Sequence, residues 1–142
     1  TVAFDHDFEA VINKCANVNR KDQDSTWITQ EMIEAYVHLH QLGYAHSTEC
    51  YWQGELVGGL YGISLGTAFF GESMFHEKTD ASKVALFHLV DLLTNWGFTF
   101  IDVQQSTQHL KSLGAVDISR DEFLDYLGKA LINETKIGKW DQ

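Results

Sequence analysis

A mixed α/β (α+β) sheet flanked by helices is the fold class this sequence predicts, and three observations predict it. Two amphipathic helical stretches open the chain, short β-prone runs broken by glycine fill Ala45 to Glu72, and helical and strand-like patterns alternate afterwards. At 142 residues, 44% hydrophobic and 21% charged, the chain has the size and balance of one domain with a full core, so residues 1–142 are expected to form a single unit.

Each element has its own signal. Over Asp7 to Ala16, Phe8, Val11, Ile12 and Cys15 repeat at the spacing of one helical face. The polar stretch Asn17 to Ser25 reads as a loop. Thr29 can then cap a second helix with Met32, Ala35, Tyr36 and Leu39 on its apolar stripe, and Gly43 stops it. Strands are expected at Ala45 to Trp52, Leu56 to Ser64 and Thr67 to Gly71, with reversals at Gln53-Gly54 and Leu65-Gly66, which makes an antiparallel meander. A third helix, Ala81 to Trp96, carries Leu86, Leu89, Val90 and Leu93 on its main stripe. Ala85, Leu92 and Trp96 widen that stripe, which implies near-complete burial.

Phe98 to Gln104 reads as a strand, Thr107 to Leu113 as a short helix closed by Gly114, and Ala115 to Ile118 as another strand. Ser119-Arg120-Asp121-Glu122 is a capping box for a last helix whose apolar face is Phe123, Tyr126, Leu127 and Ala130. A right-handed crossover through the third helix would make the strands on either side of it parallel. This order of elements matches, by analogy, the fold typified by N-acetyltransferases, and fold alone does not fix chemistry.

Composition excludes several functional classes. A net charge of -10, with ten Lys and Arg residues scattered from Lys14 to Lys139, supplies no basic cluster to displace counterions from a polyphosphate chain, which by itself argues against nucleic acid. No apolar run approaches bilayer length and the first residues resemble no signal segment, so a soluble, cytoplasmic protein without membrane association is expected. Cys15 and Cys50 lack zinc or redox-pair spacing and are expected as free thiols. His38 and His40 diverge on a helix, and no metal-binding spacing is found among the seven histidines. Cys50 and His46 share a strand face, but about 13 Å of extended chain separates them, too far for a nucleophile and base.

Ordered motifs carry more. Thr26-Trp27-Ile28-Thr29, Tyr36 with Leu39-His40 and Leu42-Gly43, and Ala45-His46-Ser47 come first. Glu55-Leu56-Val57-Gly58-Gly59, Tyr61-Gly62, Gly71-Glu72-Ser73-Met74-Phe75, Ala81-Ser82-Lys83, Ile101-Asp102-Val103-Gln104 and Ser112-Leu113-Gly114-Ala115 follow. Together, from about Val2 to Leu131, they resemble the leucyl/phenylalanyl-tRNA-protein transferases, and the pentad Gly71 to Phe75 is the most specific piece. The resemblance implies a cytoplasmic enzyme, without cofactor or metal, that moves Leu or Phe from aminoacyl-tRNA to the N-terminal Arg or Lys of acceptor proteins and so marks them for degradation. Such enzymes carry a further N-terminal domain whose junction supplies basic residues for tRNA phosphates. Its absence here makes a fragment, a processed product or an atypically short member, inactive alone, the expectation.

Alternation along a strand puts Asp102 and Gln104 on one face, and Glu72 is expected at the carboxyl end of a neighbouring strand, where ligands of open sheets bind. By the likeness, the Gln104 side-chain oxygen accepts a hydrogen bond from the attacking α-amine, Asp102 orients Gln104, and Glu72 holds the cationic acceptor. The likeness also places Leu60, Met74, Leu86, Leu89, Leu93 and Ile101 around the transferred side chain, although ordinary core packing would bury the same leucines. Trp27 and Tyr36 correspond to aromatics that contact the 3'-terminal adenosine. Two rivals stand beside this reading. One is an acetyl-coenzyme A N-acetyltransferase, poorly matched by the glycine-free segment Glu77 to Lys83, and the other is a non-catalytic binding module.

Overall fold

A computed structural model describes residues 1–22, 28–103 and 115–140, the side chains of 18–22 excepted. Its elements are β1 (Val2–Phe4), α1 (Phe8–Asp22), α2 (Gln30–Leu42), β2 (Ala45–Trp52), β3 (Glu55–Leu65), β4 (Ala68–His76), α3 (Ala81–Asn95), β5 (Phe100–Asp102) and α4 (Arg120–Leu131). The five strands form one sheet in the order β1-β2-β3-β4-β5. Neighbours pair antiparallel as far as β4, and β4 and β5 pair parallel with Phe70 opposite Asp102, as the crossover through α3 requires.

Two cores lie on opposite faces of this sheet. Phe8, Val11, Ile12 and Cys15 of α1 are all buried, and with Ile33 of α2, Tyr61 and Phe75 they fill one. Leu86, Leu89 and Leu93 of α3 pack on the other with Leu60, Phe69 and Trp140. Close approach is possible because Gly58 has no side chain: a Cβ there would sit 2.4 Å from that of Ala81. The Thr29 hydroxyl accepts from Met32 N at 3.2 Å, Gly43 closes α2 at φ 93°, and Ser119 and Glu122 form the capping box of α4.

Several expectations need correction. β1 escaped the sequence reading because so short a strand has no periodicity to detect. α1 continues through Asp22 where a loop was expected, since neither proline nor glycine follows Ala16 to break it. On α2 the buried side chain is Ile33 and Ala35 is exposed, so the stripe is rotated from the expected one. Val84, Phe87 and Val90 of α3 are exposed, because only one side of that helix meets the sheet. β4 runs to His76, since β3 offers a partner along its full length, and Glu72 is therefore inside a strand. β5 is shorter than expected, and Ala115 to Ile118 is not a strand. The expected helix Thr107 to Leu113 lies outside the described residues.

Candidate functional site around the bulge in β4

Gly62 pairs with Gly71 and Tyr61 with Ser73, so Glu72 is the extra residue of a β-bulge. A bulge turns its residue out of simple alternation and is a common way to aim one side chain from a sheet. Gly62 and Gly71 lie on the α3 face, where a Cβ on Gly62 would strike the Phe69 ring at 2.6 Å and the Phe70 carbonyl oxygen at 2.3 Å. The bulge sends Glu72 toward the α1–α2 face, where its carboxylate meets the Tyr36 hydroxyl and accepts its hydrogen bond. Burial first, and then the Glu72 charge and that hydrogen bond, push the Tyr36 phenol up to about 12. Tyr61 stands beside both, its ring 5.4 Å from that of Tyr36 at 70°.

Asp102 is in register with Phe70, whose side chain points away from the buried Phe69 and meets Phe100 at a ring distance of 6.1 Å. Partners in a parallel pair share a face, so Asp102 and Glu72 lie on the same side of the sheet. With ~4.8 Å between strands and two residues of rise, their Cα atoms are separated by roughly 8 Å. On the α3 face, a Cβ placed on Gly71 would have the Asp102 carbonyl oxygen as its nearest neighbour at 3.5 Å, an ordinary contact. Gln104, the third member of the expected constellation, lies outside the described residues, as does Trp27.

All six residues expected around the transferred side chain fall in one cluster. Leu60, Leu86, Leu89 and Leu93 are buried within it, and Met74 and Ile101 pack against it. A groove of about 430 Å³ opens beside β5, lined by Leu86, Val90, Ile101, Asp102, Phe123 and Tyr126 among others. Among the described residues of the expected site, only Leu86, Ile101 and Asp102 line it, whereas Leu60, Leu89 and Leu93 form packed core beneath. Trp140 and the contact between Tyr36 and Glu72 were missed from sequence. A lone tryptophan in a polar tail was the only available signal for the first, and no spacing rule links a helix to a strand for the second.

The sequence profile of a family described as leucyl/phenylalanyl-tRNA protein transferase matches residues 1–128. The chain belongs to this family. Proteins with that name from Syntrophobacter fumaroxidans and Legionella pneumophila strain Corby are 55% and 57% identical over 141 and 139 residues. The alignments cover 99% and 98% of this chain but only 60% and 62% of those relatives, so the chain spans about three fifths of their length. Among solved structures, a ribosomal-protein-alanine N-acetyltransferase from Brucella melitensis biovar Abortus superposes with a TM-score of 0.59 at 15% identity, over 84% of this chain and 92% of that one. An aminoglycoside N-acetyltransferase solved with CoA gives 0.60 at 13% identity, over 84% and 90%. Those likenesses establish the N-acetyltransferase fold for this transferase-family chain and carry no chemistry. No helix among the described residues is long and apolar enough to cross a membrane.

Proposed function

We propose that this chain is the catalytic portion of an aminoacyltransferase that moves Leu or Phe from aminoacyl-tRNA to the N-terminal Arg or Lys of an acceptor protein, marking it for degradation. The observation that carries the reading is the Glu72 carboxylate, aimed by a bulge, held by Tyr36 and placed on the same face as Asp102. A carboxylate held by a phenol hydroxyl suits a guanidinium or ammonium group, which gains a charge-assisted hydrogen bond.

In the proposed reaction the acceptor α-amine attacks the ester carbonyl of aminoacyl-tRNA. A C–N bond forms, the tRNA 3'-terminal oxygen leaves with the bonding pair, and the amine proton passes to that oxygen. Gln104 accepts a hydrogen bond from the amine and Asp102 orients Gln104. A glutamine amide is not a titrating base, and the ester is already activated. Holding amine and ester in contact therefore supplies the acceleration, with effective molarities on the order of 10⁵ M or more. Leu86 and Ile101, which line the groove beside Asp102 over the packed Leu60, Leu89 and Leu93, select an uncharged side chain, and Tyr36 with Trp27 faces the terminal adenosine.

The acetyl-coenzyme A alternative is disfavoured by the start of α3. Asp80 occupies its N-cap at φ 67° with no side-chain cap, and a carboxylate there repels a pyrophosphate. Transfer from charged tRNA to a peptide beginning with Arg tests the proposal. Glu72→Gln is expected to raise the acceptor KM by about tenfold or more, the loss of one charge-assisted contact, while leaving aminoacyl-tRNA affinity unchanged. An unaltered acceptor KM would remove Glu72 from acceptor binding.

A further inference from the structure

Tyr61 is fully buried beside Tyr36 and has no part in the reaction outlined above. Its ring packs edge-on against Tyr36 and, 5.8 Å away at 78°, against Phe8. On the strand it is opposite Ser73, next to the bulged Glu72. Its hydroxyl is buried and has no hydrogen-bond partner among the described residues. A buried hydroxyl left unpaired costs about 1–3 kcal/mol, and phenylalanine would fill the same space without that cost. Phe8 and Phe75 show that the surrounding cluster accepts such rings.

We propose that Tyr61 is a positioning residue for Glu72, its hydroxyl donating to the Glu72 carboxylate when a cationic acceptor N-terminus is bound, so that Tyr36 and Tyr61 hold the carboxylate between them. This rests on the reading of Glu72 as the acceptor-binding group. The donor and the acceptor it lacks are already neighbours. Burial raises the Tyr61 phenol above its ordinary range, with Cys15, Tyr36 and Glu72 adding to the effect, so it stays protonated and meets the carboxylate only as a donor. A carboxylate offers about four lone-pair positions, so a bond from Tyr36 leaves room for a second phenol and for the N–H groups of a cation. Two donors on the carboxylate fix its direction toward the incoming cation.

The test is Tyr61→Phe in the transfer assay, with urea unfolding alongside. The expected result is an acceptor KM raised about fivefold to tenfold, the loss of one hydrogen bond to a charged group, with kcat at saturating acceptor little changed. Stability should be equal or greater, because an unpaired hydroxyl has been removed. An unchanged KM with unchanged stability overturns the inference, as does lower stability without a KM effect, which marks a structural hydroxyl. Glu72→Gln separates the two levels: if it too leaves KM unaltered, the underlying reading fails, and if it alone raises KM, only the role of Tyr61 fails. Should Tyr61→Phe not fold, protein labelled with 3-fluorotyrosine gives a second measurement. The Tyr61 fluorine resonance should move on addition of an N-terminal Arg peptide, and should stay fixed in Glu72→Gln. A resonance unmoved by the peptide in the native protein overturns the inference.

Discussion

Asp5 is fully buried at a left-handed φ of 54°, and its carboxylate accepts from Ser47 N at 2.8 Å, Trp140 N at 2.7 Å and His46 Nδ1 at 2.7 Å. The His46 ring stacks on Trp140 with centroids 3.6 Å apart. One side chain thus ties together the turn after β1, the first residues of β2 and the C-terminal segment. Asp5→Ala leaves these donors without an acceptor in a buried site, so stability should fall by about 3 kcal/mol or more, read as a lower urea midpoint. Tyr36 gives the pH dependence at this scale. Its folded value of about 12 lies above the ordinary 10.0, so the neutral phenol stabilises the fold fully below about pH 10. That contribution is lost as pH rises toward about 12. Phenolate absorbance should titrate late in the folded protein, and Tyr36→Phe should lessen the fall of the urea midpoint across that alkaline window.

At the scale of elements, the bulge in β4 depends on a glycine of the adjacent strand. Gly62 allows β3 and β4 to approach at the shift in register, and an added Cβ would meet backbone oxygen at 2.3 Å, a contact no side-chain rotation relieves. Gly62→Ala should therefore cost about 1–3 kcal/mol in chemical denaturation. It should also raise the acceptor KM, because displacing β3 from β4 moves Glu72. Helices α2, α3 and α4, the first part of α1, and strands β2 and β3 were legible in the sequence, since side-chain periodicity, Thr29, Ser119 and Gly43 mark them locally. The length of β4 was not legible: nothing after Gly71 announces a strand, and only pairing with Leu60 and its neighbours extends it to His76. Tertiary pairing overrides weak local preference in strands far more readily than in capped helices.

For the whole molecule, charge sets the expectation. A formal charge of -10 and dispersed basic residues leave few groups to replace the counterions of tRNA, so binding of aminoacyl-tRNA to this chain should depend weakly on salt. Its contacts would then be confined to the aminoacylated end. Affinity measured at several salt concentrations checks this, and a steep slope would show phosphate contacts that the composition does not suggest.

What the sequence determined by itself is the family, the order of elements from α1 to β5, the capped last helix and the parallel crossover through α3. Those properties are carried by ordered motifs, by periodicity over several turns and by capping residues, all of which act over short stretches of chain. Only the tertiary structure decided that Glu72 is a bulge residue held by Tyr36, that Tyr61 is buried beside it, and that Trp140 closes onto Asp5 and His46. Each of these joins residues far apart in sequence through one buried polar contact or a single shift of register, and such contacts leave no repeating pattern along the chain.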